Sequence, residues 1–263
     1  MPQPTLFISH GSPMIALEHD DAVVAWRQLA QRLERPTAIL IISAHWETPA
    51  LQITSAPQLS TIHDFGGFPD ALYQLRYPAA GAPDLAAQIA ERLGGDGFPV
   101  QLNSQRGLDH GAWIPLREMF PEADIPVLQL SLQTLQGPDY HYRLGQALAP
   151  LLKQNILVIG SGAITHNLHD WMLAMRGNQT ALNYVPEFQQ WIYTMLRDRN
   201  IDALLSYRKL SAYGERAHPS EEHLLPLFVA LGAVGHSAQI IREYDSIANG
   251  ALGMDAYRFQ PAI

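Results

Sequence analysis

Four short apolar runs punctuate the chain: Thr5–Ser9 (TLFIS), Ala38–Ser43 (AILIIS), Pro126–Ser131 (PVLQLS) and Ile156–Gly160 (ILVIG). Each is continuous rather than alternating, which is the pattern of a strand covered on both faces. Weaker strand patterns fall at Leu51–Thr54, Pro99–Leu102 and Gln239–Tyr244. Helical stripes lie between them. Asp84 is placed to cap a helix with Leu85, Ile89 and Leu93 on one side, closed by Gly94 and Gly95. A second helix starts at Pro186 and puts Phe188, Trp191, Ile192, Met195 and Leu196 on one face. This alternation predicts an α/β fold, a layered sandwich with a largely parallel or mixed central sheet and helices on both faces. No repeat, low-complexity tract or glycine–serine linker interrupts it, so residues 1–263 are expected to form a single domain.

Composition narrows the function. The balance of 17 basic and 25 acidic side chains leaves a net charge of −8, which argues against a partner bound through its phosphates. Charged residues make up 16% of the chain, below the usual ~25%, and apolar ones 47%, so a disordered chain is excluded. There is no cysteine, which removes disulfides, thiolate metal sites and a cysteine nucleophile. No apolar run approaches the ~20 residues of a membrane span. The opening residues, MPQPTLFISHG, have no basic stretch ahead of an apolar core. A soluble, cytoplasmic protein is expected, with neither nucleic acid nor membrane as partner.

The unusual feature is the 11 histidines and where they fall. His10 follows the first apolar run, in Ile8-Ser9-His10-Gly11-Ser12-Pro13, and His45 follows the second, in Ser43-Ala44-His45-Trp46. The interval between them suits a strand–helix–strand unit with parallel strands. Both would then project from the carboxyl ends of strands, where open α/β sheets place their ligands. His166 repeats the arrangement after the fourth run. A single loop histidine is most often just hydrogen-bonded to backbone. Three at corresponding strand ends form a converging cluster, and imidazole is the commonest metal ligand. His63 and His110 sit in turn-rich segments and can line a pocket. His218 and His223 flank Ser220-Glu221-Glu222, which resembles an acidic helix start with His218 outside the helix and His223 in its first turns.

Taken together, six strings resemble a known family. His10-Gly11-Ser12-Pro13, Ser43-Ala44-His45-Trp46, Thr61-Ile62-His63-Asp64-Phe65-Gly66-Gly67-Phe68-Pro69, Asp109-His110-Gly111-Ala112-Trp113, Thr165-His166-Asn167-Leu168 and His218-Pro219-Ser220-Glu221-Glu222-His223-Leu224-Leu225-Pro226-Leu227 are similar, in that order, to the 4,5-DOPA dioxygenases. These are class III, LigB-type extradiol ring-cleaving dioxygenases. The likeness runs from His10 to about Gly235. It implies an oxidoreductase that opens a catechol such as DOPA with dioxygen at a mononuclear metal. The family's ligand positions fall on His10, His45 and His223. His166 matches a position described as a further ligand or as a base, and His110 a second active-site histidine, while His63 and His218 are expected to contact substrate. Protocatechuate-type members use two histidines and a glutamate, so Glu222, next to His223, is the rival third ligand.

The resemblance implies Fe(II) for activity, with Zn(II) compatible with an all-histidine site. His166 is expected to act as base and His110 as proton donor. Two other readings use the same residues: a zinc hydrolase, in which the metal supplies hydroxide, and a MEMO-like metal-binding interaction protein. The oligomeric expectation is a monomer or homodimer, with a small catechol and dioxygen as partners.

Overall fold

A computed structural model describes residues 2–176, 182–235 and 237–262. Its strands, in chain order, are β1 (Thr5–Ser9), β2 (Ala38–Glu47), β3 (Gln52–Thr54), β4 (Gln101–Asn103), β5 (Val127–Leu132), β6 (Ile156–Gly162), β7 (Gln239–Tyr244), β8 (Ile247–Ala248), β9 (Leu252–Gly253) and β10 (Ala256–Gln260). Eight of these form one sheet in the order β4-β3-β5-β2-β6-β1-β10-β7, and β8 pairs with β9 apart from it. The central strands β5, β2, β6 and β1 run parallel. On one flank β10 joins β1 antiparallel and β7 joins β10 antiparallel; on the other β3 meets β5 antiparallel. The mixed sheet expected from the apolar runs is present.

Successive strand residues point to opposite faces, and the core divides accordingly. Leu6 and Ile8 of β1 face a layer holding Trp26 and Leu29 of the helix Asp21–Gln31 and Trp113 and Leu116 of the helix His110–Met119. Phe7, between them, faces the opposite layer. There it meets the cluster of Leu144 and Leu148 from Gly137–Leu152, Phe188 from Tyr184–Arg197 and Phe228 from Leu225–Val234. Burying each such side chain contributes roughly 1.5–3 kcal/mol. Both faces being covered is why the strand runs carry no polar alternation.

Several local expectations need correction. β2 continues to Glu47, with its pairing to β5 irregular between Ile42 and Glu47, so His45 belongs to the strand end rather than following it. Asp84 is not a cap: Pro83 opens the helix Pro83–Gly95 and Ala82 is its N-cap, with Asp84 in the first turn. The helix with Phe188 and Ile192 buried begins at Tyr184, two residues ahead of Pro186. After Ser220 the chain makes turns, and the helix begins only at Leu225, with Pro226 in its first turn. His223 therefore sits in a turn, ahead of the helix. β1 and β2 are parallel in one sheet as the His10–His45 interval implies, with β6 between them.

His141 shows how the fold handles a buried imidazole away from the strand ends. Its Nδ1 lies 2.7 Å from the Gly137 carbonyl, and its Nε2 accepts from the Gln133 amide at 3.3 Å. Burial lowers its pKa to about 4. The unfolded chain, with an ordinary histidine near ~6.5, takes up that proton first. The His141 contribution to stability is thus complete above about pH 6.5, and about 3 kcal/mol of it is lost as the pH approaches 4. Urea unfolding of wild type and His141→Gln between neutral pH and that limit should show a shallower acid slope in the variant. Identical slopes would mean that His141 is not the group responsible.

Candidate metal centre

The parallel strands end on one edge, and the histidines gather there. Ser9 of β1 is level with Gly162 of β6, and Ser43 of β2 with Ser161, so residues just beyond them meet above β6. His10 Nε2 and His45 Nε2 lie 3.0 Å apart. The ring centroids of His10, His45 and His223 are separated by 5.0, 5.5 and 4.9 Å. Three imidazoles binding one ion at ~2.1 Å through in-plane lone pairs, at angles of about 90–110°, would place their centroids about 4.5–5.2 Å apart. The His10–His45 and His45–His223 pairs fall in that range, and His10–His223 lies just beyond it.

The hydrogen bonds orient the lone pairs. The hydroxyl of Ser161 donates to the Gly111 carbonyl at 2.5 Å, so its oxygen must accept from His10 Nδ1, 3.0 Å away. His10 Nε2 is then the lone-pair nitrogen. His223 Nδ1 donates to Glu222 Oε1 at 2.9 Å, which again frees Nε2. A carboxylate behind a histidine in this way fixes the tautomer and raises its basicity toward a metal. His110 donates from its backbone N–H to Asp64 Oδ1 at 2.8 Å and from Nδ1 to Asp64 Oδ2 at 3.0 Å. Its Nε2 too is unprotonated while the ring is neutral.

Burial, reinforced by neighbouring imidazoles, lowers the pKa values of His10 and His223 well below the ordinary histidine range. It lowers His45 to about 3, with His110 adding to the effect and Asp64 opposing it. His166 falls to about 4 for the same first reason, opposed by Glu222. Asp64 is pulled up by burial but held down, to about 2, by the hydrogen bonds from His110. A cluster of buried, neutral imidazoles with aligned lone pairs can hold a divalent cation. Among the described residues, two groupings bring ligand atoms within 4.8 Å of one another: His10, His45 and His110, and His166, Glu222 and His223.

Two glycines allow this crowding. A Cβ on Gly111 would lie 2.5 Å from Ser43 Oγ, 3.0 Å from His45 Cδ2 and 3.1 Å from His10 Cε1. One on Gly162 would lie 2.0 Å from the His223 carbonyl oxygen, which itself accepts from the Ala163 amide. Gly111→Ala should therefore push the two rings apart at a strain cost of ~1–3 kcal/mol, weakening metal binding by about 5–150-fold. Metal titration of the folded variant checks this, and unchanged affinity would contradict the close packing.

Beneath the site, Asp109 accepts from Ser43 Oγ at 2.6 Å, from Gln129 Nε2 at 2.5 Å and from Arg106 Nη2 at 3.1 Å. That fully buried carboxylate anchors the start of the helix carrying His110, whose N-cap it is. The sequence motifs contain Asp64 and Asp109 but give no role to them or to Ser161. Within His63-Asp64 it is the aspartate that reaches the site, through His110, while His63 turns to the Leu75 carbonyl.

A cavity of about 250 Å³ opens over the histidines, and His10, His45, His110, His166 and His223 all line it. His166 is stacked on His223, with centroids 3.4 Å apart and planes 10° from parallel, and its Nδ1 is 3.9 Å from Glu222 Oε1. Two expected substrate contacts are not brought to this cavity. His218 is fully buried among Phe188 and Tyr207, with Nε2 donating to the Ile164 carbonyl at 2.7 Å. His63 lies behind Phe65, with Nε2 3.1 Å from the Leu75 carbonyl and 3.2 Å from Arg76.

The fold and the site together define an α/β protein with a histidine metal centre at the carboxyl edge of its parallel strands. Comparison with known proteins gives the family. Residues 4–252 match the model of the catalytic LigB subunit of aromatic ring-opening dioxygenase. A 4,5-DOPA dioxygenase extradiol of Beta vulgaris is 40% identical over 260 residues, covering 97% of this chain and 96% of the relative. A protein of the same name from Escherichia coli K12 is 36% identical over 255 residues, 95% of this chain and 92% of that one. The crystal structure of an uncharacterized Escherichia coli K12 protein is similar with a TM-score of 0.84 at 32% identity, covering 97% of this chain and 99% of that one. The chain belongs to the LigB family. It is a metal-dependent oxidoreductase that acts on a small aromatic molecule and dioxygen. Among the described residues, no helix is long and apolar enough to cross a membrane.

Proposed function

We propose that this chain is an iron(II)-dependent extradiol dioxygenase, holding its metal through His10, His45 and His223 and opening a catechol beside its two hydroxyls. DOPA, named for its relatives, is the first substrate to try. The observation that carries the assignment is the convergence of these three rings beneath a cavity of ring-binding size. The 3.0 Å between His10 and His45 nitrogens is the separation expected for ligands at ~2.1 Å and about 90°, whereas a tetrahedral pair would stand ~3.4 Å apart. The ring centroids, 4.9 to 5.5 Å apart, do not distinguish iron from zinc, and iron is proposed because using dioxygen needs a redox-active ion. The rival grouping through His110 fits less well, because its ring is only 4.0 Å from that of His45. Glu222, hydrogen-bonded to His223, supports the histidine as ligand and itself as orienting carboxylate.

Bound there, ferrous iron would supply a redox-active centre for dioxygen and a positive charge favouring the catecholate. The protein's own groups handle protons. Neutral His166 faces the cavity and accepts a hydroxyl proton from the bound catechol at its ring nitrogen. Its stacking on His223 argues against both rings binding one ion, since in-plane ligation would drive centroids 3.4 Å apart to an angle of only ~65°. His110 is backed by Asp64, which stabilises its imidazolium as the buried carboxylate does in a hydrolase triad. It can carry a proton at Nε2 and return it as the ring opens. The apolar cavity wall excludes water from this exchange.

Iron-loaded protein mixed with DOPA under air should yield a product whose proton NMR shows one aldehyde, the mark of cleavage beside the diol. A dicarboxylic acid without an aldehyde would indicate cleavage between the hydroxyls, and intact DOPA would remove the proposed substrate.

A further inference from the structure

A groove of about 540 Å³ lies apart from the metal cavity, and no residue lines both. Its charged wall residues are Arg27, Arg76, Arg117 and Glu118, so three cations face one carboxylate. That excess of +2 stands on a chain whose net charge is −8. Glu118 is 6% exposed and holds two of the arginines. Arg27 Nη2 donates to its Oε2 at 2.5 Å, and Arg117 Nη1 donates to its Oε1 at 2.6 Å. One arginine would neutralise it. Both guanidiniums are gathered on the same carboxylate, which brings their other N–H groups within reach of a single ligand. Arg76 is held differently. Its Nη1 donates to the Tyr73 and Leu75 carbonyls at 2.5 and 2.8 Å and stands 3.2 Å from His63 Nε2. These contacts fix its position without spending its charge.

The acidic neighbours line other surfaces. Glu18, Asp20 and Asp21 belong to a second cavity, which shares Arg27, Arg117 and Glu118 with the groove. Those three shared residues form the wall between the two, and Arg76 lines the basic side alone. Asp124, whose charge is felt by Tyr77 of the groove, is paired with Arg35 at 2.6 Å. The excess charge is therefore concentrated toward Arg76. The rest of the lining is the amide of Gln31 and the largely apolar surface of Tyr77, Pro78, Met119 and Pro121.

Guanidinium forks take carboxylate and phosphate oxygens through paired hydrogen bonds, which are stronger than neutral ones. An excess of +2 matches a dianion. The volume lies within the ~300–1,000 Å³ of small-molecule sites, so an organic body has room beside the charged head. We propose that this groove binds a small organic molecule with a dianionic head, a phosphate monoester or a pair of carboxylates, seated on Arg76, Arg27 and Arg117 with its apolar body against Pro78 and Met119. None of the groove's residues belongs to the six histidine-bearing strings, and the site does not depend on the dioxygenase reading.

The test is calorimetric titration of the full chain at low salt and mildly alkaline pH, where a phosphate monoester carries nearly two charges. The probes are phenyl phosphate, phthalate and benzoate, which share a ring and differ in the head. The dianions are expected to bind with Kd below ~1 mM and at least ~10-fold more tightly than benzoate. Phenyl phosphate ahead of phthalate assigns a phosphate head, and the reverse order assigns paired carboxylates. Arg76→Gln should weaken the better dianion by about 10-fold, the loss of one charge-assisted contact, with circular dichroism unchanged because no buried carboxylate loses its partner. Arg27→Gln should act likewise, since Arg117 still neutralises Glu118. His45→Ala, which alters the metal centre, should leave the affinity as it was. Benzoate binding as tightly as the dianions, no heat from either dianion up to ~10 mM, an affinity unmoved in Arg76→Gln, or one lost in His45→Ala would overturn the proposal.

Discussion

His45→Ala is expected to bind iron at least ~100-fold more weakly than wild type while keeping its fold. The size follows from the ligand's place in the site. Losing merely an outer partner of a ligating histidine costs about 10–100-fold in affinity, and His45 is proposed to touch the ion itself. Its Nε2 is 3.0 Å from that of His10, close enough for both to reach one ion. The fold survives because β2 is held by its pairs from Ala38 to Ser43 with β6, ahead of the substituted position. His10→Ala and His223→Ala should behave alike. Glu222→Gln should lose no more than ~100-fold, since its carboxylate acts through His223 Nδ1. His110→Ala should retain metal. Metal analysis after dialysis, with circular dichroism as the check on folding, reads all five variants. Stoichiometric metal in His45→Ala would move the centre to His166, Glu222 and His223, and a metal-free His110→Ala would move it to His10, His45 and His110.

His166→Ala should show the opposite profile, with metal retained and catechol still bound but turnover reduced by ~10²–10⁴-fold, the usual contribution of a positioned base. The distinction rests on ring geometry. His166 lies face to face with His223 at 3.4 Å, so it has room beside the ion's ligand but not on the same ion. Single-turnover measurements separate the two effects, because metal occupancy and catechol binding are read before oxygen is admitted. A metal-free His166→Ala protein would make the residue a fourth ligand and the site a closed one.

Much of this arrangement is legible in the sequence. Continuous apolar runs gave the central strands because burial on both faces removes the polar alternation. Residues just past such runs then mark the carboxyl edge of a parallel sheet, which is why the sequence alone groups His10, His45 and His166. What stayed hidden depends on contacts between distant segments. β10 is a short strand that pairs with both β1 and β7, segments distant from each other in the sequence. His218 carries the same residue type as the site histidines, yet a carbonyl from Ile164 and the rings of Phe188 and Tyr207 claim it for the core. Glu221 and Glu222 resemble a helix start in one dimension, whereas the structure spends Glu222 on orienting His223. Phe65, Leu168 and Trp171 are apolar letters like any in the core, and only the folded structure shows that they line the cavity over the histidines.

The central claim is that this histidine centre opens a catechol ring with dioxygen through a redox-active ion. It is tested most directly by an oxygen electrode, recording uptake against catechol consumed for the same protein loaded with Fe(II) and, separately, with Zn(II). The account predicts one dioxygen taken up per catechol with iron, accompanied by a visible-absorbing product, and no uptake with zinc, which has no accessible redox change. Equal uptake with both metals, or consumption of catechol by the iron protein without uptake of dioxygen, would contradict it.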